Sequence, residues 1–314
     1  MKIVLLEPIG IQSKELESLI KYFKNSNHEL IVYNNLPESE TEIIQKTHDA
    51  DILILSNLPL SAQVIDQCPN LKMISVAFAG VDHISMESCK RKNIVVSNAA
   101  GYSTHAVAEL TIGMAISLLR KIIWADNQTR SGKTREGFLG AELYGKTFGI
   151  IGFGQIGAEV AKLTNAFGCK VLVYNRTKKI NKDVEFVELD ELLRRSDIIS
   201  VHVPLTNETK NRIGKKELDL LKPSAILINT ARGQIVNYND LYEALMNKKI
   251  AGAALDVYEK EPPLDKNYLL FDLPNVILLP HIGYATQEAI ELRGRIVIEN
   301  IKKWMDENPQ NVMN

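Results

Sequence analysis

Short apolar runs alternate with segments whose apolar residues recur at helical spacing along almost the whole chain. In the first hundred residues the runs Ile3–Leu6, Leu30–Tyr33, Ile52–Leu55, Met73–Ala77 and Ile94–Ser97 read as strands. Helical patterns around Lys14–Phe23, Thr41–Lys46 and Ala62–Cys68 lie between the first four. From Thr104 a long apolar helix is predicted to run to about Trp124, followed by a charged, glycine-punctuated stretch, 126–145, with little periodicity. Six more strands are predicted near Phe148–Gly152, Lys170–Tyr174, Ile198–Val203, Ala225–Asn229, Gly252–Val257 and Val276–Leu279, and a helical pattern, Gln287–Met305, closes the chain. Buried strands alternating with amphipathic helices predict parallel sheets joined by helical crossovers, an α/β architecture.

Bulk properties narrow the picture only slightly. A chain of 314 residues buries a large core and divides naturally into two domains. The 37 Lys and Arg balance 38 Asp and Glu, which gives no ground for nucleic-acid or membrane binding. Cys68, Cys89 and Cys169 form no CxxC pair, so neither a disulfide frame nor a metal site is expected. His105 and Glu109 stand four apart on the long helix, but with no third ligand nearby in sequence they predict no metal. The first apolar run is cut by Glu7 and Pro8, and no run reaches membrane-spanning length. A soluble, cytoplasmic protein is expected.

The most informative motif is Gly152-Phe153-Gly154-Gln155-Ile156-Gly157. It spells GxGxxG between a predicted strand and a predicted helix, the context that makes it a dinucleotide-binding fingerprint. Gly152 would permit the tight turn, Gly154 the approach of a pyrophosphate, and Gly157 the packing of helix on sheet. The phosphates would meet free N–H groups at the positive helix end. The next strand ends at Tyr174, where an NAD-binding chain usually places an acid for the ribose 2′-hydroxyl. Here stand Asn175, Arg176 and Thr177, followed by Lys178, Lys179 and Lys182. An arginine can pair a 2′-phosphate that an acid would repel, so NADP(H) is the expected cofactor. NAD(H) beside a merely solvated basic loop is the alternative.

Arg232, Glu261 and His281 follow three of the predicted strands of the same domain. Ligands of open parallel sheets bind beyond the strand carboxyl ends, so all three belong to one rim. Singly, each reads as an ordinary polar strand end. Together, a cation, an acid and an imidazole suit the reduction of a 2-oxo acid. The arginine pairs the carboxylate and polarises the ketone, and the histidine donates a proton. The acid orients the ring and favours its charged form.

Ser75–Asp82, Asn98–Glu109, Gly145–Gly157, His202–Thr206, Asn229–Gly233, Ala254–Val257 with Glu261-Pro262, and Leu279–Gly283 together resemble the D-2-hydroxyacid dehydrogenase family, in order and over most of the chain. The resemblance implies two doubly wound parallel-sheet domains with a cleft between them. One is a flavodoxin-like substrate domain of residues 1–99 plus 285–314. The other is a Rossmann domain of residues 100–284, whose arm, 126–145, would exchange between subunits of a homodimer. It implies Arg232, Glu261 and His281 as the catalytic set, and Phe78, Ala79, Gly80, Arg232 and His281 at the substrate. It places Thr104, Gly152, Gly154, Gln155, Ile156, Gly157, Asn175, Arg176, Thr177, Val203, Pro204, Thr209, Thr230, Asp256 and Gly283 along the cofactor.

Two departures from the family pattern matter. Asn175 replaces the usual acid, and Thr134 stands in the arm where many relatives carry tryptophan. The function expected is hydride transfer between NADP(H) and a small or hydrophobic 2-oxo acid, selected by Leu58-Pro59-Leu60, Phe78 and Tyr284. The alternative is a dinucleotide-binding, corepressor-like protein that reads partner proteins.

Overall fold

The computed structural model describes residues 1–177 and 180–314. Lys178 and Lys179, part of the expected basic run, lie outside the described residues. The chain forms two compact units, Met1–Ser103 with Ala285–Asn314, and Thr104–Tyr284.

In the first unit, β1 (Lys2–Leu5), β2 (Glu29–Val32), β3 (Ile52–Leu55), β4 (Met73–Val76) and β5 (Val95–Ser97) make one parallel sheet in the order β2-β1-β3-β4-β5. This is the flavodoxin-like order, which reverses direction between β1 and β3. Helices α1 (Ser13–Asn25), α2 (Glu40–Thr47), α3 (Ala62–Asp66) and α4 (Met86–Arg91) make the crossovers. The sequence pattern did not reveal α4; its six residues are too few for a 3.6-residue period to register. The predicted C-terminal helix, Gln287–Met305, starts where Thr286 caps the Ala289 N–H. It returns to this sheet: Ser75 Oγ donates to the Val297 carbonyl at 3.1 Å. The fully buried Asn300 then ties down the chain end. Its Nδ2 donates to the Asn98 carbonyl, and its Oδ1 accepts from Asn311.

In the second unit, β6 (Thr147–Ile151), β7 (Lys170–Tyr174), β8 (Glu185–Phe186), β9 (Ile198–Val201), β10 (Ile226–Asn229), β11 (Gly252–Leu255) and β12 (Val276–Leu278) form a seven-stranded parallel sheet. Its order is β12-β11-β10-β9-β6-β7-β8, the Rossmann order plus one strand. The strand beyond the expected six is β8, two residues on the β7 edge, too short to show alternation. One face packs under α5 (Thr104–Leu119) and α7 (Gln155–Ala166), around Ala108, Ala115, Phe148, Ile150, Val160 and Val171. The other packs under α8 (Leu189–Arg195), α9 (Lys215–Leu218) and α10 (Tyr238–Met246), around Leu192, Leu227, Leu241 and Leu255.

The long helix expected from Thr104 to about Trp124 is two helices. α5 stops at Leu119, Lys121 takes a left-handed φ of 46°, and α6 spans Ile122–Arg130. The break is tertiary in origin. The Ala141 N–H donates to the Leu119 carbonyl at 3.0 Å, and Gly140 packs on the same turn. The returning chain thus takes a carbonyl that a continuing helix would have used. The expected irregular arm is therefore helical over its first five residues, Asp126–Arg130. No residue of α6 is buried, and Ile122, Ile123, Trp124, Leu139 and Tyr144 are exposed.

Candidate active site

Gly152 and Gly157 are glycines for steric reasons. Gly152 turns with φ 101°, and a Cβ there would lie 2.6 Å from the His202 carbonyl oxygen. A Cβ on Gly157 would collide with the Gly152 carbonyl, so only glycine lets α7 start this close to β6. Gly154, the N-cap of α7, is different: a Cβ there meets nothing within 4 Å. Open space therefore lies against the N-terminus of a twelve-residue helix, where backbone N–H groups and the helix dipole favour a phosphate. The cradle fits a dinucleotide pyrophosphate. Thr104, which begins α5, reaches it by donating from Oγ1 to Gln155 Oε1 at 3.3 Å. The Val203 side chain packs against the Gly152 position.

At the end of β7, Asn175 has a structural task that the sequence did not disclose. Its Oδ1 accepts from the Phe153 N–H at 2.9 Å, and its Nδ2 donates to the Thr177 carbonyl at 2.6 Å. It braces the glycine turn from the neighbouring strand. Arg176 is exposed and pairs end-on with Glu208, Nη1 to Oε2 at 3.2 Å. Thr209 folds its own loop, with Oγ1 donating to the Pro204 carbonyl and accepting from the Thr206 N–H. Thr230 Oγ1 lies 3.3 Å from Thr111 Oγ1.

Arg232, Glu261 and His281 follow β10, β11 and β12, three adjacent parallel strands, at their carboxyl ends. His281 Nδ1 is 3.0 Å from Glu261 Oε2. His281 has a left-handed φ of 57°, a conformation that costs a residue with a Cβ and persists only where neighbours enforce it. The enforcing group is Asp256, buried to 1% exposure. Its two carboxylate oxygens accept the N–H groups of Ile282 and Gly283 at 2.8 and 2.7 Å. Burial pushes this carboxyl above the usual aspartate range, against the pull of those two bonds.

Beneath these loops runs a buried polar lattice. Asn229 donates to Tyr238 Oη, Tyr238 donates to the Val257 carbonyl at 2.6 Å, and Tyr258 donates to the Leu279 carbonyl at 2.9 Å. It links the ends of all three strands. Burial pushes both phenols up, so they remain donors. Asn229 also accepts the Ala231 N–H and donates to the Arg232 carbonyl, which sets the backbone of the arginine. The roles of Asn229, Tyr238 and Tyr258 leave no sequence signal, because each partner lies on another element or loop and no periodic pattern marks such a pairing.

The first unit carries Phe78, Ala79 and Gly80 beyond β4. The Phe78 carbonyl accepts from the Ala99 N–H at 2.9 Å, and the Ala79 carbonyl from Asn98 Nδ2 at 2.7 Å. In a trans peptide the N–H points opposite to the carbonyl. Both bonds therefore turn the Ala79 and Gly80 N–H groups away from residues 98 and 99, and among the described residues neither has an acceptor. The buried Arg293 lies over the Phe78 ring, 5.2 Å from its centroid. Of the selecting residues expected, Leu60 is core at 1% exposure; Leu58, held through its N–H by Glu7, and Pro59 are more open. Tyr284 meets the His281 ring edge-on at 5.6 Å.

His105 Nδ1 lies 3.5 Å from Glu159. Among the described residues no group of three or more His, Cys, Asp and Glu is placed to hold a metal ion, and no helix is long and apolar enough to cross a membrane.

Residues 112–283 match the family described as D-isomer specific 2-hydroxyacid dehydrogenase, NAD binding domain. The chain belongs to this family. The dehydrogenase is 41% identical over 286 residues to a glyoxylate reductase of Thermococcus litoralis, covering 87% of this chain and 86% of that one. It is 40% identical over 266 residues to a hydroxypyruvate reductase of Thermotoga maritima, covering 83% and 87%. Among solved structures it resembles D-2-hydroxyisocaproate dehydrogenase, with a TM-score of 0.85 and 28% identity over 99% of each chain. It also resembles an acyclic imino acid reductase (Bsp5) in complex with NADPH and D-Arg, with a TM-score of 0.92 and 34% identity over the whole of both chains. The dehydrogenase is thus an oxidoreductase of 2-hydroxy acids that uses a nicotinamide dinucleotide.

Under the glycine turn, burial pushes His202 down to about 3, so the folded dehydrogenase keeps this ring neutral. The unfolded chain protonates it below about pH 6.5. Stability is therefore lost as pH falls from about 6.5 toward 3, because the unfolded state binds the extra proton. His202→Gln should flatten this acid limb by about 1–2 kcal/mol between roughly pH 7 and 5. Urea unfolding at the two pH values checks it; equal losses in both proteins would assign the acid limb to other groups.

Proposed function

We propose that the protein reduces a small or hydrophobic 2-oxo acid to the D-2-hydroxy acid with NADP(H), using His281 as general acid. The observation that carries the reading is the His281–Glu261 pair at 3.0 Å, on the strand next to the one that presents Glu261 and two from the one that presents Arg232. With Nδ1 engaged by Glu261, Nε2 is the atom that gives its proton to the carbonyl oxygen, and takes it back in the reverse direction. Arg232 pairs the substrate carboxylate and polarises the ketone. The Ala79 and Gly80 N–H groups are further donors for the carboxylate, and Phe78, Leu58 and Tyr284 offer apolar surface to the R group. The bound cofactor supplies the hydride. Gly152, Gly154, Gln155, Ile156 and Gly157 hold its pyrophosphate. Thr104, Asn175, Arg176, Thr177, Val203, Pro204, Thr209, Thr230, Asp256 and Gly283 line its path. Glyoxylate and hydroxypyruvate, the substrates in the names of two relatives, are the first to assay, with pyruvate and branched 2-oxo acids beside them.

His281→Ala should lower kcat by about 10²–10⁴-fold with cofactor affinity little changed. Glu261 acts through the imidazole, so Glu261→Gln should cost less. The double variant Glu261→Gln with His281→Ala should be no slower than His281→Ala alone. Additive losses in steady-state kinetics would separate the two residues.

For the cofactor, the neutral Asn175 and the cationic Arg176 support NADP(H). A charge-assisted hydrogen bond contributes about 1.5–3 kcal/mol, so NADPH should exceed NADH in kcat/KM by at least about tenfold. Asn175→Asp with Arg176→Ala should reverse that order; equal values in the wild type would remove the NADP assignment.

The exposed apolar side chains of α6 and of the segment after it, with the Trp124 and Phe138 rings in tilted contact at 5.4 Å between centroids, support a homodimer through this arm. Light scattering should give twice the 35.2 kDa chain mass. A monomer at micromolar concentration would reject the assembly.

A further inference from the structure

We infer that Glu208 is a cofactor-selectivity residue, which competes with the 2′-phosphate of NADP(H) for Arg176 and so keeps NAD(H) usable. The inference rests on the NADP(H) reading above.

The glycine turn follows β6, and β6 lies between β7 and β9. Arg176 stands beyond β7 and Glu208 beyond β9, so their 3.2 Å ion pair spans the rim beside the turn. Both partners stand on braced backbone. Asn175 is bonded to Phe153 and Thr177 on one side. On the other, Thr209 Oγ1 donates to the Pro204 carbonyl and accepts the Thr206 N–H, and the Lys210 N–H donates to the Thr206 carbonyl. The pair is a product of the fold, though both side chains are mostly exposed, at 84% and 74%.

Asn175 stands where the ribose acid of an NAD-binding chain would be, but it is neutral and its amide is already engaged. Among the described residues, the carboxylate paired with Arg176 is Glu208. Glu208 reaches Arg176 through a single nitrogen. An exposed end-on pair of this kind is weak, whereas a phosphate can take two guanidinium donors at once. A 2′-phosphate therefore displaces Glu208, but at the cost of the existing pair and against the repulsion of a carboxylate left nearby. A ribose 2′-hydroxyl meets no such repulsion and finds an acceptor in Glu208. The carboxylate thus lowers the preference that Arg176 alone would give.

Calorimetric titration of the cofactor-free protein with NADP⁺ and NAD⁺, and with adenosine 2′,5′-bisphosphate and AMP, reads this without turnover. Glu208→Gln should raise the NADP⁺/NAD⁺ affinity ratio, and the bisphosphate/AMP ratio, about two- to fivefold, as removal of one screened charge pair allows. Arg176→Ala should collapse both ratios, and on that background Glu208→Gln should have a smaller effect than in the wild type, because only the direct carboxylate–phosphate repulsion remains. An unchanged ratio in Glu208→Gln, or equal tightening of both members of each pair, overturns the inference while Arg176→Ala still upholds the NADP(H) reading. If Arg176→Ala leaves the wild-type ratios unmoved, the NADP(H) reading itself fails.

Discussion

A buried carboxylate held by two backbone N–H groups organises the rim at the carboxyl ends of β10, β11 and β12. Asp256 receives two backbone N–H groups from the chain segment just after His281, and a charge so deeply buried is tolerable only with such donors. The exchange fixes more than Asp256. It holds Ile282 and Gly283 against the end of β11, which forces the left-handed turn at His281 and brings its Nδ1 to Glu261. The imidazole is thus aimed by a bond to the backbone beside it, not by packing of its ring alone. The lattice of Asn229, Tyr238 and Tyr258 ties the three strand ends together beneath it. Under the proposed function, in which His281 gives a proton to a carbonyl oxygen, the site gains from such pre-organisation.

The dinucleotide end follows a different principle, in which absence of side chain is the design. Gly157 and Gly152 are glycines because backbone occupies the space of a Cβ, while Gly154 leaves that space open. In the proposed reading, selectivity at the ribose falls to exposed groups of opposite charge, Arg176 and Glu208, whose interaction is weak in water and hence adjustable. The neutral His202 below the turn adds no charge to this balance at ordinary pH.

Much of this was legible from residue order. The parallel α/β character, the strand–glycine–helix fingerprint, the C-terminal helix Gln287–Met305 and the three strand-end residues all leave local or periodic signals. What escaped has identifiable reasons. α4 and β8 are too short to carry a period. The break at Lys121 falls in an unbroken apolar run, and it is imposed by Ala141 returning to the Leu119 carbonyl. Leu60 looks like a loop residue by its flanking Pro59, yet it is core.

The sequence by itself therefore determined the chemistry available: which residues could bind a dinucleotide, hold a carboxylate and move a proton. Tertiary structure decided how those residues are engaged. Asn175, which in sequence looks like a ribose contact, is bonded to the glycine turn; Arg176 meets an acid 32 positions away; Asp256 holds the loop that carries the histidine. Each of these is a pairing between side chain and distant backbone or charge. Such pairings leave no local pattern, because what selects them is the need of buried or braced polar groups to find partners once the strands are aligned.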